Sequence, residues 1–411
     1  MASRLTELSR LFLRLGAVGF GGPQAHIAMQ NDEAVSRRGW LTPEEFAQGL
    51  AVCEMLPGPA STQMGIYIGY VRAGAIGALA AGLSFIAPAF LIVVALSWGY
   101  FQFQGVPQLD ALFLGIFPVV VAIVAAFCWK LSKKAIKHPS HWAIVLGAFG
   151  LSAFASLGVP WIFAIAGVVG LALSVMLQAA GSGSSGKSGA WLLPVPAWQA
   201  LANFPVSVST GVSPEVLAIG SFWGRDRIAE FALPLAGFFL KAGSAIFGGG
   251  LTIIPLLEFE VVERFHWLTL DEFVSGVAIG QLSPGPVVLT AAFVGYKVAG
   301  VLGALVSAVA IFTPSFGFII LAAPLLRRLT QNPWVKAFLQ GVTPAVLGTI
   351  AASMLPLARS AFVLPSLVAS VFAVAIGVVA LVAVIRFKTP TWVLVPGGAV
   401  LGLVFGALGL A

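Results

Sequence analysis

Long apolar runs separated by short polar loops make up most of this 411-residue chain. A helix needs about 20 mainly apolar residues to cross the hydrocarbon core of a bilayer. The clearest runs cover residues 73–98, 109–129, 142–157, 160–178, 301–326, 342–356, 366–385 and 391–410. This pattern predicts an all-α polytopic membrane protein.

The composition supports a protein that lies in the membrane. Hydrophobic residues make up 59% of the chain and charged residues 9%, whereas soluble proteins carry about 25% charged residues. Residues Met1 to Arg10 are polar, and no small-residue cleavage site follows an apolar stretch. We therefore expect no cleavable signal and a multi-pass protein of the cell (inner) membrane.

Several motifs occur twice at a nearly constant spacing. Phe20-Gly21-Gly22 recurs 227 positions later as Phe247-Gly248-Gly249, and Pro57-Gly58-Pro59 recurs as Pro284-Gly285-Pro286. Glycines, prolines and tryptophans stay in register over about a hundred residues, which indicates an internal duplication. We predict a first transmembrane repeat over residues 1–180 and a second over 238–411, called the first and second halves below. A linker and interfacial region, rich in Gly and Ser at its start, covers 181–237.

The distribution of basic residues predicts that the two halves have opposite orientations. Loop 130–141 holds four lysines, while the matching loop near 355–363 holds Arg359 alone. Loop 99–110 has no Lys or Arg, while its counterpart near 325–336 holds three such residues. Because positive loops stay on the cytoplasmic side, this alternation favours inverted-topology repeats.

The number of crossings depends on two short helical segments, 43–56 and 60–71. Each is about 20 Å long as a helix and too short to span a core of about 30 Å. If they form a re-entrant hairpin, each half crosses five times and the total is ten. If they join into one broken span, each half crosses six times and segment 205–222 must cross too, giving thirteen. We expect about ten crossings, although this places Arg4 and Arg10 outside, against the positive-inside rule.

The repeated Gly and Pro motifs predict helices that are broken within the membrane. Irregular backbone at that depth is tolerated where protein buries it or where it lines a water-filled cavity. A helix that restarts there aims free N–H groups and its positive dipole end at the cavity, which is an anion site. The alternative is that the motifs are packing kinks. The predicted substrate-binding residues at the motifs are Gly21, Gly22, Pro57, Gly58, Pro59, Ser61, Thr62, Gln63, Gly248, Gly249, Ser283, Pro284, Gly285, Pro286 and Thr290.

Four ionisable residues complete the predicted site. Arg14 and Lys241 occupy matching positions six residues before the Phe-Gly-Gly motifs, where a basic group suits an anion or snorkels to the interface. Glu54 lies beside the first break and either carries a coupling proton or bonds to loop backbone. His26 is a second coupling candidate, with a hydrogen-bonded packing role as the alternative.

At these motifs the sequence resembles the chromate ion transporter family, in its long-chain type with two domains. The likeness rests on Phe20-Gly21-Gly22-Pro23, Trp40-Leu41, Leu56-Pro57-Gly58-Pro59 and Gly69-Tyr70, with their second-half counterparts. The resemblance implies two halves of opposite orientation and export of chromate that confers resistance, driven by the proton motive force. Sulfate, which is also a tetrahedral dianion, is the expected competitor. The second half has Gly250 at the position equivalent to Pro23 and Gln281 at the position equivalent to Glu54. These differences leave open whether one half or both bind the anion.

Other functions have less support in the sequence. A permease for sulfate or another oxyanion is the first alternative, and a membrane enzyme such as a chromate reductase is the second. No nucleotide-binding or metalloprotease motif occurs, so we expect no cofactor, no metal site and no enzymatic activity. The expected partners are chromate, sulfate, protons and the lipid bilayer, with a homodimer as one assembly and no nucleic acid.

Overall fold

The chain is helical throughout the part that the computed structural model describes. That part comprises residues 2–19, 22–136, 138–154, 159–181, 221–246, 250–322 and 333–408, and it contains no β-strand. The α-helices in chain order are α1 Ala2–Val18, α2 Gly22–Asn31, α3 Pro43–Met55, α4 Ala60–Gln102, α5 Pro107–Ala135, α6 Ser140–Phe154, α7 Val159–Gly181, α8 Ile228–Ser244, α9 Ile254–Leu257, α10 Leu270–Leu282, α11 Thr290–Ala322, α12 Pro333–Phe362, α13 Leu367–Phe387 and α14 Thr391–Ala407. Segment 205–222 lies almost entirely outside the described residues.

Five of the described helices are long and apolar enough to cross a membrane. They are Ala60–Gln102, Pro107–Lys133, Val287–Leu321, Ala337–Phe362 and Leu367–Phe387. On α13, the side chains of Leu367 and Val379 are 80% and 68% exposed. Apolar side chains that point away from the protein at this density suit contact with lipid. The predicted all-α class is therefore confirmed, and five of the eight apolar runs lie in helices of spanning length. The other three lie in the shorter apolar helices Ser140–Phe154, Trp161–Ser174 and Thr391–Ala407, and the number of crossings stays a prediction.

Matching capping boxes begin α3 and α10. The Thr42 side chain accepts a hydrogen bond from the Glu45 N–H at 3.2 Å, and the Glu45 carboxylate accepts one from the Thr42 N–H at 2.9 Å. Thr269 and Glu272 make the same two bonds at 3.2 and 3.0 Å. Each box pairs two N–H groups that a helix start leaves without partners. The same local chemistry thus starts the helix before each Pro-Gly-Pro motif.

Helix α4 contains a sharp reversal at Ala73 and Gly74. Gly74 has φ +65° and ψ −156°, a combination that is essentially restricted to glycine. The two arms fold back on each other so closely that a Cβ on Gly69 would lie 2.3 Å from the Gly77 carbonyl oxygen. Helix α11 reverses in the same way at Ala299 and Gly300. The first arm of α4, residues 60–72, therefore matches the short segment that the sequence predicts.

The helices on either side of each Pro-Gly-Pro motif also fold back on each other. A Cβ on Gly49 of α3 would lie 2.3 Å from the Tyr67 ring of α4, and one on Gly276 of α10 would lie 2.4 Å from the Phe293 ring of α11. Each motif is therefore the tip of a helical hairpin with arms of about 20 Å. The hairpin form that the sequence predicts is what the structure shows.

The two halves exchange their last helices. In the first half, a Cβ on Gly115 of α5 would lie 2.0 Å from the carbonyl oxygen of Gly398 in α14. In the second half, a Cβ on Gly341 of α12 would lie 2.0 Å from the carbonyl oxygen of Ala166 in α7. At the centre, α4 packs against α11, where Gly82 meets the ring of Phe316. Glycine allows these backbones to approach, as is common between membrane helices.

Two glycine substitutions should have opposite effects on stability. Gly115→Ala should destabilise the protein by about 1–3 kcal/mol, because the added methyl group meets backbone that cannot move aside cheaply. Gly147→Ala on α6 has no atom within 4 Å of its Cβ and should stabilise it by up to about 1 kcal/mol through helix propensity. Thermal unfolding in detergent measures both. Equal effects of the two substitutions would contradict the close crossing of α5 and α14.

Candidate functional site

The first helix break lies at Leu56 to Pro59, between α3 and α4. Leu56 ends α3 in an extended conformation, Gly58 has φ +134°, and Pro59 is the extended N-cap of α4. A side chain on Gly58 is excluded for two reasons: the φ value, and a Cβ position 2.3 Å from Gln63 Nε2 and 2.5 Å from Ser315 Oγ. Prolines on both sides lack an N–H and cannot continue the helix.

The second break, Ser283 to Pro286, has nearly the same backbone geometry. Ser283 ends α10 with φ −74° and ψ 145°, close to the −80° and 148° of Leu56. After Pro286 comes one 3₁₀ turn, Val287–Leu289, and then α11 begins at Thr290. This turn lies where the second half is one residue shorter than the first, since Pro286 and Tyr296 are ten positions apart and Pro59 and Tyr70 eleven. Local sequence thus produces two similar breaks.

Each break contacts the other half of the chain. The Gly58 N–H donates a hydrogen bond of 2.6 Å to the carbonyl oxygen of Ile246, the residue before the second Phe-Gly-Gly motif. His26, just after the first Phe-Gly-Gly motif, has its Nε2 3.1 Å from the carbonyl oxygen of Pro284. The same nitrogen also contacts the Gly19 carbonyl oxygen. Each break therefore lies against the other half of the chain.

Part of the predicted site is not described by the structure. Gly21, Gly248 and Gly249 lie outside the described residues. Gly22 is described, has φ +77°, and has no atom within 4 Å of a Cβ. The role of these glycines in binding stays a prediction.

Buried polar side chains surround the start of α4. Gln63 Nε2 donates 2.7 Å to the Pro57 carbonyl oxygen, and Gln30 Nε2 donates 3.0 Å to the Ser61 carbonyl oxygen. The Ser61 hydroxyl lies 3.4 Å from His26 Nδ1. Every one of these side chains is at most 1% exposed. They form the polar cluster, defined as His26, Gln30, Ser61, Thr62, Gln63 and Ser315.

Four atoms of the polar cluster have no hydrogen-bond partner: Gln30 Oε1, Thr62 Oγ1, Gln63 Oε1 and Ser315 Oγ. A buried polar atom without a partner costs about 1–3 kcal/mol. Such atoms are rare in native proteins and need an explanation. At a helix start with free N–H groups, a bound water or a polar ligand would pair such atoms.

The second break is less polar and its hydroxyls are already paired. Ser283 Oγ donates to the Gly280 carbonyl oxygen and Thr290 Oγ1 to the Val287 carbonyl oxygen, both at 2.9 Å. At the first break, the side chain of Ser315 on α11 faces Gly58. At the second break, the equivalent position on α4 is Ala89, and its methyl group faces Gly285. The unpaired polar atom near this break is Gln281 Nε2, before the motif. The two breaks thus share a backbone geometry but differ in side-chain chemistry.

The predicted basic residues lie away from the polar cluster's hydrogen bonds. Arg14 is exposed and lines a surface cavity of about 500 Å³ together with Arg10, Arg38 and Glu7. Lys241 is 3.5 Å from the buried Glu260 carboxylate, which also binds Arg264 at 2.8 Å. Glu54 has an exposed side chain, whereas His26 belongs to the polar cluster. The structure thus joins His26 to the first break and gives Lys241 a carboxylate partner.

Sequence reasoning missed three residues of this interface. Gln30 and Ser315 are common residue types without a motif, so no signal marked them. Lys297 did carry a signal, because a lysine inside an apolar span is usually functional or paired. It is 3% exposed and its Nζ lies 2.7 Å from Glu272 Oε1. Gln104 Nε2 donates to the same carboxylate oxygen at 3.0 Å.

Comparison with known proteins gives a consistent family. The sequence model described as "Chromate transporter" matches residues 6–171 and 233–403. The chain is 34% identical over 403 residues to the "Chromate transport protein" of Cupriavidus metallidurans, which covers 97% of this chain and 93% of that protein. It is 32% identical over 417 residues to the "Probable chromate transport protein" of Synechococcus elongatus, covering 98% and 96%. No solved structure matches the chain.

Proposed function

This chain belongs to the chromate transporter family, and we propose that it is a secondary transporter that exports chromate from the cytoplasm across the inner membrane. Its apolar helices and its family make it a multi-pass membrane protein. A membrane potential that is negative inside drives an anion outward by about 2.3 kcal/mol per charge and 100 mV. The proton motive force is therefore a sufficient driving force, and export would confer chromate resistance.

The proposed architecture consists of two inverted repeats, residues 1–180 and 238–411, with ten crossings and a linker over 181–237. Matching capping boxes, breaks and reversals at corresponding positions support the repeats. The exchange of α7 and α14 between the halves is what a two-fold relation produces. Inverted repeats of this kind carry the substrate near the midplane, where their broken helices meet.

The observation that carries the proposal is the group of unpaired buried atoms at the first break. Thr62 and Ser315 offer hydroxyl groups beside the N-terminal end of α4. That end contributes about half a positive charge. The Thr62 and Gln63 N–H groups donate to the Pro59 carbonyl oxygen, so the Ala60 and Ser61 N–H groups, which precede the first bond of the helix, are the ones open to a ligand. An oxyanion bound there would pair the hydroxyls and the N–H groups together. We assign the substrate site to this break.

Transport requires the site to open alternately to each side of the membrane. The polar cluster is buried, and the two halves touch at the breaks through the Gly58 bond to Ile246 and the His26 contact with Pro284. Separation of the halves at these contacts would expose the site to one side. His26 and Glu54 stay the candidates for proton coupling, because His26 bridges both breaks and Glu54 lies on the last turn of α3.

Flux measurements in everted membrane vesicles test the function. Uptake of radiolabelled chromate should require the overproduced protein, collapse with an uncoupler and be inhibited by excess sulfate. Sulfate flux without chromate flux would leave an oxyanion permease and overturn chromate as substrate. Reduction of chromate by purified protein with a nicotinamide donor would instead indicate an enzyme.

A matched pair of threonine substitutions tests the position of the site. Thr62→Val should lower chromate flux about tenfold or more, because a hydrogen bond to a charged group contributes about 1.5–3 kcal/mol. The folded protein should lose no stability, since the Thr62 hydroxyl has no partner without substrate. Thr290→Val is the control, because that hydroxyl already donates to Val287. Equal losses of flux would place the site at both breaks.

A further inference from the structure

The two amides of the polar cluster have fixed orientations. Gln63 Nε2 faces the Pro57 carbonyl oxygen at 2.7 Å, and Gln30 Nε2 faces the Ser61 carbonyl oxygen at 3.0 Å. Rotation of either amide by 180° would bring two acceptor oxygens together, so the hydrogen-bond network assigns O and N. Gln63 Oε1 and Gln30 Oε1 are consequently the atoms left unpaired. Both accept hydrogen bonds and cannot donate them.

Two hydroxyl groups are the other unpaired atoms of the polar cluster. Thr62 Oγ1 and Ser315 Oγ can each donate one hydrogen bond, and each can also accept hydrogen bonds. With the N–H groups at the start of α4 they can satisfy the oxygens of an anion. They cannot satisfy the two amide oxygens as well. When both hydroxyl protons go to the anion, a ligand with an O–H of its own can pair one of these amide oxygens, which a fully deprotonated anion cannot do.

Little positive charge balances a ligand at the polar cluster. Among the residues that the structure describes, Lys297 is the only buried lysine or arginine, and it is paired with Glu272. Arg14 is exposed, and Lys241 is paired with Glu260. The helix start adds about half a charge. The cost of removing an ion from water grows with the square of its charge, so a dianion costs about four times as much as a monoanion.

We propose that the ion bound at the first break is the singly protonated oxyanion, hydrogen chromate, and not the chromate dianion. Its O–H donates to Gln63 Oε1 or Gln30 Oε1, while its other oxygens accept from Thr62, Ser315 and the helix start. The inference rests on the proposed transport function and specifies the form of the substrate. It also separates chromate from sulfate, because hydrogen chromate loses its proton near neutral pH, whereas hydrogen sulfate is a strong acid.

Equilibrium binding without a gradient tests this. The full chain in detergent is titrated with radiolabelled chromate and, separately, with perrhenate, a tetrahedral monoanion that has no proton to lose. Above the pKa of hydrogen chromate, affinity for total chromate should fall about tenfold per pH unit relative to perrhenate. Sulfate should compete at every pH only in large excess, as in the flux experiment. A chromate-to-perrhenate ratio that stays constant with pH would overturn the proposal.

The protein's own titratable groups need a separate control. His26 contacts the break from α2, Cys53 and Glu54 lie on α3, Tyr67 lies on α4, and Lys297 on α11 is paired with Glu272. Any change of perrhenate affinity with pH comes from titration of these protein groups, because perrhenate itself has no proton to lose. In His26→Asn the chromate slope should persist, and its loss would assign the pH dependence to His26 and reject the proposal. Wild-type protein that binds no chromate at any pH would reject the transport function itself.

Discussion

Gly58→Ala is expected to reduce chromate flux by at least about tenfold while the protein still inserts into the membrane. The added Cβ would lie 2.3 Å from Gln63 Nε2 and 2.5 Å from Ser315 Oγ. Both side chains must move, and displacement of a binding group by about 1 Å can cost as much as a hundredfold in rate. The measurement is chromate uptake by everted vesicles, normalised to the amount of protein.

The matched control separates this clash from backbone strain. Gly105 also has a positive φ, +87°, but it lies in an exposed loop with no atom within 4 Å of a Cβ. Gly105→Ala therefore places a side chain at a positive φ without touching the polar cluster. It should transport at close to the wild-type rate. If both variants transport equally well, the substrate does not bind at the first break.

Removal of one partner of the Lys297–Glu272 pair is expected to cost about 3–5 kcal/mol of stability. The Nζ–Oε1 distance is 2.7 Å and the side chains are 4% and 5% exposed. Lys297→Met leaves a buried carboxylate without its cation, and Glu272→Gln leaves a buried ammonium group, each of which is strongly destabilising. Gln retains the capping box with Thr269, so the loss comes from the charge. Thermal unfolding in detergent measures both.

The double variant and a matched control complete this test. Lys297→Met combined with Glu272→Gln should recover most of the lost stability, because replacing both charges is often neutral. Glu45→Gln alters the corresponding capping box, where the side chain is exposed, and should change stability by less than about 0.5 kcal/mol. Single variants that resemble Glu45→Gln would show that the pair is not desolvated in the membrane.

Local chemistry was readable from the sequence alone. The apolar runs, the broken helices at Pro57 to Pro59 and Pro284 to Pro286, and the resemblance to a transporter family depend on nearby residues and on their repetition. The structure and the comparisons confirm the helical class, the breaks and the family. Proline and glycine restrict the backbone in any surroundings, which is why these predictions needed no tertiary contacts.

Which side chains share a site was decided by tertiary packing. His26 meets Pro284 across 258 positions of sequence, and Ser315 reaches Gly58 from the other half of the chain. Neither contact follows from helix periodicity, because each depends on how segments of opposite halves pack against each other. The two breaks look alike in sequence, but at the second break the hydroxyls of Ser283 and Thr290 are paired, whereas at the first break those of Thr62 and Ser315 have no partner. The sequence determined where the backbone breaks. Packing determined which break is polar and which charges, such as Lys297, are paired, because desolvation and pairing arise only when distant helices come together.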